Sequence, residues 1–191
     1  MPRIKEILTF WFGEEDDLNY GRPRQEWFTT NPEFDERTRS HFLWDYELAA
    51  TGQLDTWQES PRSCLALIIL LDQFPRNMFR GTPQAFATDA RALAVAQNAI
   101  EHKFDQNFLP VQKWFIYLPF EHSENLEHQY QSVALFQQLN DDSDSEPAID
   151  SAIRHLEIIK KFNRFPHRNQ ILGRESTPAE IEFLKLPNSH F

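Results

Sequence analysis

Five arginines and a histidine crowd into two short segments of a chain whose formal charge is −10. The segments "DQFPRNMFRGTP" (72–83) and "RFPHRNQILGRESTP" (164–178) share Phe-Pro, Arg-Asn, a glycine and a Thr-Pro in the same order. Together they supply Arg76, Asn77, Arg80, Arg164, His167, Arg168, Asn169 and Arg174. Arginine is the side chain suited to a two-point grip on a carboxylate or phosphate, and the two asparagines add neutral donors. The five arginines with Asn77 and Asn169 are the candidate ligand-binding group, for an anionic small molecule or a peptide carboxylate.

Between the two segments "LPFEHSENLEH" (118–128) brings Glu121, His122 and Glu124. A histidine beside a carboxylate can serve as a general acid–base, so His122 is the first catalytic candidate. Glu121 or Glu124 would orient it, and His167 is the reserve. The same residues also fit a second reading. Buried guanidinium groups need partners, and Glu121 and Glu124 would hold the arginines in an internal ion-pair network. The two readings are not exclusive.

The elements that would position these groups read as helices. Phe74 and Phe165 precede prolines, which disfavour the α conformation in the preceding residue, so both helices are expected to end there. The downstream Arg and Asn could then donate to the last carbonyls, and Gly81 and Gly173 would let the chain reverse. Pro119 is read as another helix breaker. Asn31-Pro32, Ser60-Pro61, Thr82-Pro83 and Thr177-Pro178 each place a capping side chain before a proline, and Glu180 completes a capping box at the last.

Apolar residues recur at helical spacing in Phe86/Ala90/Leu93/Ala96/Ile100, Val111/Trp114/Phe115/Leu118 and Ile149/Ile153/Leu156/Ile159/Phe162. Residues 65–71 are apolar on every side, which predicts a helix surrounded by the others. No useful stretch alternates with period two. The expectation is an all-α chain of about eight helices forming one domain over residues 1–191, with an exposed acidic loop at about 140–147.

Composition narrows the partners. The acidic balance argues against nucleic acid, whose binding rests on neutralising phosphates, and against an anionic membrane surface. The longest apolar run falls far short of the roughly 18 residues of a membrane span. A lone cysteine, Cys64, excludes an internal disulfide and fits a reducing cytoplasm. It follows Ser63 in the most apolar helix and reads as an inert buried thiol.

No phosphate loop, nucleophile elbow or cysteine–histidine metal motif is present, so no cofactor is expected. Glu121, Glu124 and His128 share one helical face, but three such residues make a thin metal site and none is assigned. Trp11, Trp27, Trp44, Trp57 and Trp114 are expected in core and rim positions. Oligomeric state is left open.

The phrases "FWFG", "GQLDTW", "LALIILLDQFPRNMFRGTPQAFATD", "YLPFEHSE", "QSVALF" and "RFPHRNQILGRESTPAEIEFL" span nearly the whole chain. They resemble the bacterial family of unknown function DUF924. That resemblance implies a tetratricopeptide-repeat-like stack of antiparallel helix hairpins, and no established activity. Asn163 stands where the family often has glycine, a mild change because asparagine also tolerates the left-handed conformation at a helix end. Asn125 and His128 stand where the family often has acidic residues, which weakens a metal reading further. Helix starts are unevenly spaced, so any repeat-like packing would lack a 34-residue sequence period.

Overall fold

A computed structural model describes residues 2–187 and Ser189, and among them there is helix and no strand. The α-helices are α1 (Pro2–Phe12), α2 (Pro32–Ala50), α3 (Pro61–Ile68), α4 (Phe74–Met78), α5 (Asp89–Glu101), α6 (Pro110–Glu121), α7 (Leu126–Gln137), α8 (Glu146–Phe162) and α9 (Pro178–Leu184). A π turn, Ile69–Gln73, joins α3 to α4, so residues 61–78 form one rod and the described helices make eight. Single 3-10 turns occupy several of the connections.

Cys64 through Leu71 are all buried, as their apolar character on every side requires. Around this rod pack α1, α5 and α6, while α2 lies against α4. From α5 to α8 each helix packs on the next. Trp11 joins the layers through close ring contacts with Phe34, Phe74 and Phe115, at centroid distances of 5.9, 5.7 and 5.4 Å. Each such pair adds about 0.5–1.5 kcal/mol beyond the area it buries. A smaller cluster of Ile158, Ile159 and Phe165, with Phe162 and Phe183 against it, fills the space between the end of α8 and α9.

The buried stripes differ in detail from the periodic reading. On α5 the inward face is Ala92, Val95, Ala96 and Ala99, and Ala90 points outward. Three alanines let α5 approach α3 closely. On α8 the face is Ala152, His155, Leu156 and Ile159, leaving Ile153 exposed. Helix α6 is buried on nearly every side, not along one stripe. Trp11 and Trp114 are core, Trp27 and Trp57 are half-buried, and Trp44 is 69% exposed.

Two of the four expected caps form. Asn31 accepts from the Glu33 and Phe34 amides, and Thr177 and Glu180 close the capping box at α9. Ser60 bonds the Ser63 hydroxyl instead, and the Thr82 hydroxyl donates back to the Phe79 carbonyl. Thr82-Pro83 opens only a 3-10 turn, Pro83–Phe86, and α5 begins six residues later than that motif suggests. The acidic loop is shorter than read from composition. Ser143–Ser145 form a 3-10 turn, α8 starts at Glu146, and Ser145 is buried where its hydroxyl accepts from the Trp114 indole at 2.7 Å.

Candidate functional site

The helix does not stop at Phe74. Phe74 keeps helical angles (φ −60°, ψ −41°) and its amide bonds to the Ile69 carbonyl, five residues back. In a regular α-helix the Pro75 ring would press on the Leu71 carbonyl and could offer it no N–H. The π turn opens the ladder at this point. The Leu71 carbonyl instead accepts from the buried Thr88 hydroxyl at 2.6 Å. That bond ties the start of α5 to the π turn and sets Asp89 beside Arg76.

Arg76 grips both Asp89 oxygens, at 2.9 and 3.1 Å, and also donates to the Asp72 carbonyl at 2.6 Å. At the second segment Phe165 is extended (φ −90°, ψ 107°) and α8 has already ended, with Asn163 left-handed at φ 56°. The 3-10 turn Pro166–Arg168 then carries Arg168 inward until only 7% of it is exposed. Its Nη1 reaches the same Asp89, at 3.4 Å. The two arginine segments therefore meet, with one carboxylate between them.

Arg168 is sparsely bonded for a buried cation. Its guanidinium lies between the rings of Phe86 and Phe165, at 4.8 and 4.7 Å, and its Nε is buried without a hydrogen bond. Burial and the neighbouring Arg76 charge push its pKa down to about 10, so it stays cationic at neutral pH.

His122 caps the end of α6, and Nδ1 lies 2.7 Å from Oδ1 of Asp72. Asp72 is fully buried within the π turn. Burial raises its carboxyl, but the Arg76 charge and the His122 bond outweigh this and hold it below the usual carboxylate range. With Asp72 ionised, His122 Nδ1–H donates to it. Burial and the Arg76 charge lower the His122 pKa, against the opposing pull of Asp72. Among the described residues only its Nδ1 takes part in a side-chain hydrogen bond.

The expected orienting carboxylates do something else. Glu121 turns inward, where Oε1 accepts from the Ser151 hydroxyl at 3.0 Å and lies 3.0 Å from His155 Nδ1. Burial pushes its pKa up to about 8, and the ring of His155 is held well below its ordinary value, so the two meet as uncharged groups at neutral pH. Glu124 accepts from the Phe165 amide at 2.8 Å and from Arg174 at 2.7 and 3.0 Å. Pro119 lies inside α6 and does not break it. Gln129, fully buried, donates to the Glu121 and Ser123 carbonyls at 2.6 and 2.7 Å, which holds the end of α6 and hence His122 in place.

The remaining candidates are parts of other joints. Arg80 and Asn77 both bond Asp35, fastening α4 to α2. Arg164 grips Glu180 at 2.6 and 2.7 Å. Asn169 donates to Ser176 and accepts from Arg174, which also bonds the Phe165 carbonyl. Arg174, not Arg168, thus caps the second corner. His167 packs against Phe165 at 5.7 Å and neighbours His155.

Asp72 and Asp89 are the important residues that reading the sequence missed. Their signal was position alone, one in and one just after the first Phe-Pro-Arg-Asn segment. His128 bonds Ser123, and among the described residues no three His, Cys, Asp or Glu side chains are grouped to hold a metal. Burial pushes the Cys64 thiol up to about 11. Two surface cavities of about 540 and 780 Å³, at the start of α8 and between α1, α3 and α6, are not lined by the cluster. No helix among the described residues is long and apolar enough to cross a membrane.

No curated protein matches the chain. A solved protein of unknown function, ATU0120 from Agrobacterium tumefaciens, is 38% identical over 96% of this chain and 97% of its own, with a TM-score of 0.85. The profile described as "Bacterial protein of unknown function (DUF924)" matches residues 7–188. The chain belongs to the DUF924 family.

Proposed function

We propose that the chain is a helical binding protein whose cluster of Arg168, Arg76 and His122 receives a small anion, a carboxylate or phosphate group. In this reading the successive packing of α5 to α8 is a tetratricopeptide-repeat-like scaffold that presents the site. The buried, single Cys64 fits a reducing compartment such as the cytoplasm. One observation carries the proposal. Arg168 is buried with one long carboxylate contact and an unbonded Nε, whereas Arg76, Arg80, Arg164 and Arg174 each make at least two hydrogen bonds to a carboxylate. A desolvated guanidinium gains most from an added oxyanion.

Thermal melts with acetate, citrate and inorganic phosphate test it against chloride at equal ionic strength. A bound anion stabilises by mass action, about 2.7 kcal/mol at a hundredfold excess over its dissociation constant. The gain should vanish in Arg168→Met. Equal melting in every anion overturns the reading.

The Asp72–His122 bond favours a second reading, in which His122 acts as general acid–base on the bound anion's ester. A screen of carboxylate and phosphate esters on wild type and His122→Ala decides this. Turnover that survives the substitution removes His122 from the chemistry.

A further inference from the structure

We propose that the cluster takes up its anion together with one proton, carried by His122, and that it selects a monoanionic carboxylate over a phosphate dianion. This rests on the anion-site reading above. The π turn and α4 contribute Asp72 and Arg76, α5 contributes Asp89, and the 166–168 turn contributes Arg168. Those four groups sum to zero.

Glu124, Arg174, Glu121 and His155 do not change that sum at neutral pH. Glu124 is matched by Arg174. From α6 and α8, Glu121 and His155 face the cluster uncharged. His167 lies beside His155 on the same turn as Arg168.

An anion entering a neutral, desolvated cluster has no net charge to meet, and Asp72 and Asp89 repel it. His122 can remove that deficit. Its Nδ1–H is already committed to Asp72, and its Nε2 has no hydrogen bond among the described residues. Protonation at Nε2 makes an imidazolium held by Asp72 on one side and donating to the anion on the other. A monoanion with its proton leaves the cluster neutral. A dianion with one proton leaves it negative beside two aspartates.

In the free protein His122 titrates below its ordinary value, because of burial and Arg76. A bound anion raises that value. Between the two values affinity weakens tenfold for each unit the pH rises, and the ionisation of Glu121 near pH 8 weakens it further.

Calorimetric titration of acetate into wild-type protein, in two buffers of different protonation enthalpy, reads the proton directly. Uptake of about one proton per acetate is expected. Inorganic phosphate should bind at least about tenfold more weakly at the same pH, a loss of about 1.4 kcal/mol. His122→Gln, which keeps a donor for Asp72, should bind acetate more weakly and, below the ionisation of Glu121 near pH 8, without the pH slope. Acetate binding with no proton uptake, or tighter binding of phosphate, overturns the inference. If such binding is lost in Arg168→Met, the anion site stands and only this refinement falls. No response of wild type to either anion removes both.

Discussion

The two Phe-Pro-Arg-Asn segments use the same residues to build different backbones. In the first, the helix runs through Phe74-Pro75 because a π turn relieves the proline, and Arg76 stays on a rod with three hydrogen bonds. In the second, the chain breaks at Asn163, is extended at Phe165, and delivers Arg168 from a 3-10 turn with one 3.4 Å contact. What unites them is a shared partner, Asp89, and a shared ring, Phe86, over which both guanidiniums lie. Local sequence similarity here reports convergence on one spot in space more than a common turn. At the first corner Arg76 is held by a carbonyl and both oxygens of Asp89, whereas at the second Arg168 has one long contact to that carboxylate.

Removing the shared partner should have the largest effect. Asp89→Ala leaves the buried Arg168 and the partly exposed Arg76 guanidiniums without their shared carboxylate, and equilibrium urea unfolding should show a loss of about 3–5 kcal/mol. A loss under about 1 kcal/mol would mean that Asp89 does not hold the corners together.

The arginines themselves should separate the corners next. Arg76→Met strands Asp72 and weakens the hold on Asp89, so it should cost about 3 kcal/mol. Arg168→Met leaves Asp89 still gripped by Arg76 and removes an under-bonded cation, so its cost should stay within about 1 kcal/mol. Equal losses for the two would break the distinction between a structural and a spare arginine.

The glycines should give the smallest effect and the most similar one. Gly81 and Gly173 both have positive φ, 77° and 66°, with open space where a Cβ would sit. Alanine at either should cost about 1–2 kcal/mol through backbone strain alone, measured by thermal melting. A clear difference would show that the chain reversals are not equivalent after all.

Much of the fold could be read in advance because it depends on short-range physics. The surrounded helix at 65–71 and the capping box at Thr177 follow from apolar content and hydrogen bonding within one turn, and the left-handed Asn163 agrees with the family resemblance, since asparagine tolerates the conformation that glycine takes there. The candidate cluster was legible by composition, since Arg76, Arg168 and His122 stood out in an acidic chain. Their partners were not legible. Asp72 and Asp89 are ordinary acidic residues in a chain with 29 of them, and nothing local marks which will be buried.

The sequence by itself determined that the chain is helical and where cations concentrate, because both are properties of neighbouring residues. Only the tertiary structure decided that Phe74-Pro75 continues a helix, since the Thr88 hydroxyl that replaces the missing amide comes from the start of another element. It also decided that Asp72 orients His122 across fifty residues while Glu121 is left uncharged inside. Those outcomes depend on burial and on which charges share a low-dielectric space, and both arise only when distant segments pack.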